Sequence, residues 1–177
     1  MGDDALVANT TGVKNIAIGD SALATNIDGD GNIAVGHQAL RTLEPSDGLS
    51  HNTAVGYLAG TALTTGRFNN IFGSQAADTL TTGSSNVSIG YEALHQDTQG
   101  SNAVAIGDQA LASQNFTSAA DSNNTAVGAL AGKGCTTGDK NTFIGALSGG
   151  DSTLTGGSNV VVGYAAGFNL TSGGNNI

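Results

Sequence analysis

The sequence predicts an all-β fold, a parallel β-solenoid (β-roll) of about nine 17-residue coils. Three observations carry that prediction. A glycine recurs at Gly19, Gly36, Gly56, Gly73, Gly90, Gly107, Gly128, Gly145 and Gly163, at spacings of 17, 20, 17, 17, 17, 21, 17 and 18 residues. The residue before each is large, apolar and a good strand former: Ile18, Val35, Val55, Phe72, Ile89, Ile106, Val127, Ile144 and Val162. Four before each glycine stands an Asn, at Asn15, Asn32, Asn52, Asn69, Asn86, Asn124, Asn141 and Asn159, with Ala103 the one departure. A fixed short period marks a stacked repeat. Seventeen residues are too few for a strand and a crossover helix, and no 3.6-residue pattern persists. Coils stacked at the strand spacing of about 4.8 Å make a rod roughly 43 Å long.

Each coil reads in order as a short strand, a bend at the glycine, a second short extended piece and a loop. The loop often carries Thr-Thr-Gly, at 64–66, 81–83 and 136–138, where Gly permits a tight return. Alternation puts the residues one and three before the glycine on one face of the strand. That face is strongly apolar, and the column Ile18 to Val162 is expected to be the coil core. The other face holds small residues, Ala17, Ala34, Ala54, Ala105 and Ala126, joined by Ser88, Ile71, Phe143 and Val161. Small apolar residues in place of charges predict close approach of another chain, so this is the expected inter-chain face. The Asn column is expected to form an amide ladder, like stacking on like.

Composition sets the outer bounds. The 177 residues include 28 Gly and no Trp, with 5% aromatic and 11% charged residues. So few large side chains argue against one central core of the usual kind. Five Lys and Arg against 14 Asp and Glu give a net charge of -9, which argues against nucleic-acid and anionic-membrane partners. Mean hydropathy is -0.02, too high for a conventional disordered tail. No apolar run approaches the roughly 20 residues of a membrane span. The start, Met1-Gly2-Asp3-Asp4, lacks the basic and apolar stretches of a secretion signal. Residues 1–177 read as a single repeat domain. Asn175-Asn176-Ile177 begins a tenth copy, so a fragment of a longer fibre is expected.

The units Asn15-Ile-Ala-Ile-Gly19-Asp-Ser-Ala22, Asn32-Ile-Ala-Val-Gly36-His-Gln-Ala39 and Ala103-Val-Ala-Ile-Gly107-Asp-Gln-Ala110 resemble the head repeats of trimeric autotransporter adhesins. The units 52–60, Asn-Thr-Ala-Val-Gly-Tyr-Leu-Ala-Gly, and 159–167, Asn-Val-Val-Val-Gly-Tyr-Ala-Ala-Gly, resemble repeats of phage tail fibres. The adhesin resemblance implies a left-handed parallel β-roll and a homotrimer packed about an axis. The motif is short, so it speaks to architecture more than to function, and the period of 17 departs from that of the adhesin heads.

Candidate sites come from departures from the repeat. Insertions at 41–51, which includes Pro45, and at 112–123 must bulge outward, where solenoids often bind. Tolerated loops without a ligand account for them as well. Tyr57, Tyr91 and Tyr164 follow their glycines in a variable column, and Phe116 lies in the second insertion. These four are the candidate receptor contacts, able to stack on sugar rings or simply to pack against the next loop. Asp28-Gly29-Asp30-Gly31-Asn32 resembles the start of a calcium loop but lacks its terminal Glu, and an acidic turn explains it equally well. His37, His51 and His95 fall at no metal-ligand spacing, and Cys135 stands alone. No catalytic residue, metal or cofactor is expected.

The expected role is a structural fibre segment of the tail-fibre or bacterial surface-adhesin type, not an enzyme. A rigid trimeric stalk or head would space or present binding to a cell-surface glycan or protein, outside the cell or on a virion. An ice-binding or other self-contained monomeric solenoid is the alternative, though Ser84-Ser85, Asp139-Lys140 and the insertions interrupt its Thr array. A left-handed β-helix acyltransferase fits less well. It needs three aliphatic positions per coil and a general base, and here the aliphatic signal comes once per coil with no recurring His.

Overall fold

The computed structural model describes residues 2–45 and 48–177; Ser46 and Asp47 of the first insertion lie outside the described residues. In chain order the strands are β1 (Ile16–Ile18), β2 (Ile33–Val35), β3 (Thr53–Val55), β4 (Asn70–Phe72), β5 (Val87–Ile89), β6 (Gly100–Ser101), β7 (Val104–Ile106), β8 (Ala120–Asp121), β9 (Thr125–Val127), β10 (Thr142–Ile144) and β11 (Val160–Val162). Nine of them form one parallel sheet in the order β1-β2-β3-β4-β5-β7-β9-β10-β11. Register follows the repeat, so Ile16 pairs with Ile33, Ala17 with Ala34 and Ile18 with Val35. β6 and β8 make a second, two-stranded parallel sheet. This is a parallel β-solenoid of about nine coils. Among the described residues no helix is long and apolar enough to cross a membrane.

The two faces of the strand are the reverse of the sequence expectation. The middle residue of each strand points into the coil: Ala34, Ala54, Ala105 and Ala126 are fully buried and Ala17 is nearly so. These alanines cannot be an inter-chain face, because their own coil covers them. The Ile and Val column is not the coil core. Ile18 is 54% exposed, Ile89 38% and Ile144 43%, while Val35, Val55 and Ile106 are half-buried, Phe72 and Val127 are partly exposed and Val162 is exposed.

The reason is volume. The wall opposite the sheet is built from the third and fourth residues after each glycine, such as Ala22-Leu23, Ala39-Leu40 and Ala110-Leu111, all fully buried. With Leu on that wall, the strand's middle residue must be small. Where the strand carries a large residue, a wall position beside it, in the same coil or the one before, carries Gly. A Cβ on Gly60 would lie 2.9 Å from Ile71 Cδ1, one on Gly132 2.6 Å from Phe143 Cδ2, and one on Gly167 2.9 Å from Val161 Cγ1. Total volume is conserved while its owner changes, as close packing requires.

The Asn column lies inside and forms the expected ladder. The N–H of Asn52 donates to Asn32 Oδ1 (2.9 Å), that of Asn69 to Asn52 Oδ1 (2.9 Å) and that of Asn86 to Asn69 Oδ1 (3.0 Å). The Nδ2 groups then reach glycine carbonyls, as Asn69 does to Gly83 (3.0 Å), except that Asn32 Nδ2 donates to Ser50 Oγ (2.6 Å). The buried amides of this column are thus used by their neighbours, which a buried polar column demands.

The segment after the glycine is not a second extended piece. Its second and fourth residues lie at positive φ, as in Gln75 (57°) and Ala77 (46°), or Glu92 (51°) and Leu94 (55°). The alternation sends successive peptide groups up and down the stack: Gln75 N–H donates to Tyr57 O below and Ala77 N–H to Ala93 O above. Left-handed backbone costs about 1–2 kcal/mol per residue, and these axial bonds offset it. The repeating glycine itself is required by contact. A Cβ on Gly36 would stand 2.2 Å from the carbonyl oxygen of Gly56 in the next coil.

Candidate functional site

The main unpartnered surface of the chain is the outer face of the nine-stranded sheet. It is formed by the first and third residues of each strand. The third residues are the Ile and Val column with Phe72. The first residues are Ile16, Ile33, Thr53, Asn70, Val87, Val104, Thr125, Thr142 and Val160. None of these positions holds Lys, Arg, Asp or Glu. A strand rise near 3.3 Å makes the stripe about 10 Å wide, and nine strands make it about 43 Å long. Isolated exposed apolar residues are ordinary; here they recur from coil to coil along the sheet.

Aromatic groups flank the stripe. His37 and Tyr57 stack at 5.4 Å with 13° between planes, and Asp20 Oδ2 lies 3.0 Å from His37 Nδ1. On the other flank His51 and Phe68 stack at 5.9 Å, and Phe68 is exposed. Tyr57, Tyr91 and Tyr164 are exposed. Tyr91 is tied to Glu92: their hydrogen bond raises the phenol and, with the Gln109 amide (2.6 Å), holds the Glu92 carboxyl below its usual range. Phe116 is half-buried, and its N–H donates to Asp97 Oδ1 (3.0 Å). The structure does not gather these four into one site. His37–Tyr57 is the aromatic pair that the sequence did not single out; its signal was aromatic residues in the same column of adjacent coils.

The insertions are stitched into the stack. In the first, Glu44 Oε2 accepts from Ile27 N–H (2.7 Å) and Ser50 Oγ donates to Asp30 O (3.0 Å). In the second, Ala120-Asp121 pairs with Gly100-Ser101, and Thr117, Ser118 and Ala119 project into solvent. In the calcium-like segment Asp30 Oδ1 accepts from Val13 N–H (2.8 Å), Asn32 belongs to the ladder and Asp28 Oδ1 is buried without a hydrogen bond. Among the described residues no three His, Cys, Asp or Glu side chains converge to hold a metal ion.

Two buried reactive-looking groups are structural. Asp97 stands where other coils place Leu43, Leu63 or Leu80. Its Oδ1 accepts from Gly100 N–H (3.0 Å), and its Oδ2 accepts from Gln114 Nε2, whose own oxygen takes Asn124 Nδ2 (2.8 Å). This relay spans the place where Ala103 interrupts the amide ladder. Cys135 is fully buried beside Gly138 O, and burial pushes its thiol up to about 12. His95 sits 2.6 Å from Asp78 Oδ1, and burial raises that carboxyl against the pull of the imidazole.

The first threonine of each Thr-Thr-Gly turn is bonded along the stack, whereas Thr65, Thr82 and Thr137 are exposed. Thr64 Oγ1 donates to Thr81 O, Thr81 Oγ1 to Thr98 O and Thr136 Oγ1 to Leu154 O. Comparison of the chain with protein-family models, with curated proteins and with solved structures finds no match.

Proposed function

We propose that the chain is a structural fibre segment, a rigid rod that assembles side by side with two further copies through the outer face of its sheet. The observation that carries this reading is the charge-free Ile and Val stripe on a chain of net charge -9. An acidic partner surface gains nothing there, and a copy of the same stripe matches it column for column. The stripe alone covers about half of the roughly 800 Å² that each partner gives to a stable interface. Packing three rods about an axis also covers the flanks, where Tyr57 and Phe68 stand. This favours a homotrimer over a face-to-face pair, in line with the resemblance to adhesin heads and tail fibres. The role is mechanical: the segment spaces or presents attachment to a cell surface, in an extracellular or virion setting. The outward residues 117–119 are then shown in three copies, so weak contacts with a glycan or protein gain avidity.

Light scattering tests the assembly directly. A mass of about three times 17.3 kDa is expected, and Ile89→Asp with Val127→Asp should return the chain to its monomer mass. A monomer for the unaltered chain overturns the proposal.

A further inference from the structure

A regular stack has a register problem. Copies lying side by side can slide by one coil, about 4.8 Å, and bring the same columns into contact again. The third strand residues cannot prevent this, because all nine are apolar. The first strand residues can. Along the rod they read Ile16, Ile33, then Thr53, Asn70, then Val87, Val104, then Thr125, Thr142, then Val160. Two apolar levels alternate with two polar ones.

We infer that this alternation fixes the axial register of the assembled copies, with the Thr53/Asn70 and Thr125/Thr142 levels as the locks. The inference rests on the self-assembly reading above. With copies in register, polar levels face polar levels and hydrogen-bond across the contact. A slip of two coils opposes Ile16 to Thr53, Ile33 to Asn70, Thr53 to Val87 and Asn70 to Val104, and continues so along the rod. A slip of one coil mismatches every second level. A slip of four coils restores the pattern but gives up four of the nine strand levels. A polar side chain facing an apolar one in a dry contact loses water without gaining a partner. A single buried Asn sets register in coiled coils for the same reason.

The side chains are free for this task. Among the described residues the Asn70 amide and the hydroxyls of Thr53, Thr125 and Thr142 make no hydrogen bond within the chain, whereas Thr64, Thr81 and Thr98 are bonded to the next coil. The interior Asn column is fully engaged, while Asn70, one residue beyond Asn69, points outward and is exposed.

Cross-linking reads the register. In a Cys135→Ser background, Ile89→Cys places thiols from neighbouring copies at one level, and Ile89→Cys mixed with Val127→Cys reports a slip of two coils. With the native polar levels, mild oxidation should link the 89 levels and leave 89-to-127 links at least tenfold rarer. Replacing Thr53, Asn70, Thr125 and Thr142 by Val should keep the oligomer and raise the 89-to-127 links to comparable yield. Asn70→Val alone should give an intermediate ratio, and it serves if the fourfold variant aggregates. An unchanged link pattern in an intact oligomer overturns the register inference and leaves self-assembly standing. A monomer with native polar levels overturns both.

Discussion

The inner and outer faces of one three-residue strand differ in a way that hydrophobicity does not rank. The inner face takes Ala and Asn; the outer face takes Ile, Val and Phe. The inner face is buried because its residues fit a narrow gap and satisfy each other's hydrogen bonds. The outer face holds most of the larger apolar groups because beside the Leu wall the interior has room for few of them. In a coil this thin, volume and amide pairing decide which face turns in, and the Ile and Val face is left outside.

The sharpest way to break the comparison is to place the same charge on each face. Ala54→Glu puts a carboxylate in the dry interior, and loss of on the order of 5 kcal/mol is expected, enough to unfold the chain by circular dichroism. Val55→Glu, one residue on, should leave monomer stability within about 1 kcal/mol and act on assembly alone. Equal effects would abolish the distinction. Phe143→Ala empties the space that Gly132 and Gly149 leave for the ring and should cost about 3–5 kcal/mol in urea unfolding. Adding Gly132→Leu should recover part of that loss, since Leu23, Leu40, Leu94 and Leu111 fill this place in other coils. Asn69→Ala leaves the Asn86 N–H and the Gly83 carbonyl without their partner, at about 2–4 kcal/mol.

The smallest effect is in the titration of Cys135. Its thiol is raised from 9.0 to about 12 in the folded chain. The folded state therefore resists losing that proton. The associated stability is complete below pH 9 and is lost as pH rises toward 12. At pH 10 the loss is about 1.4 kcal/mol relative to a Cys135→Ala variant, measured by unfolding at matched pH. Reaction with iodoacetamide at pH 8 should be slow until urea is added.

The period, the strand positions, the amide ladder and the glycine column were all legible in the sequence, because each repeats in a fixed place. The orientation of the strand was not. Alternation separates two faces but does not say which is inside when neither is charged. A usable signal was present: Gly60 and Gly132 stand one coil before Ile71 and Phe143, and Gly149 and Gly167 share coils with Phe143 and Val161, each glycine where other coils place Leu. Those exchanges say that the middle strand residue and the wall share one space. The left-handed segment was hidden for another reason. Its positive-φ positions hold Gln75, Leu94 and Leu130, residues with no preference for such backbone. Stacking imposes the conformation, and local propensity does not reveal it. Among the candidate contacts, the exposure of Tyr57, Tyr91 and Tyr164 followed from the variability of their column. The bond from the Phe116 backbone to Asp97 did not, since it depends on a buried carboxylate unique to that coil.

The amide ladder has a mechanical consequence. Its bonds join residues one coil apart, as Asn52 to Asn69, and they run along the rod. Tension applied between the two ends loads these bonds one level at a time. The rod then pays out chain in steps, each freeing about 17 residues and roughly 50 Å of length before the next coil is loaded. A solenoid built this way absorbs a sudden pull by shedding a coil and regains its length when the coil closes again.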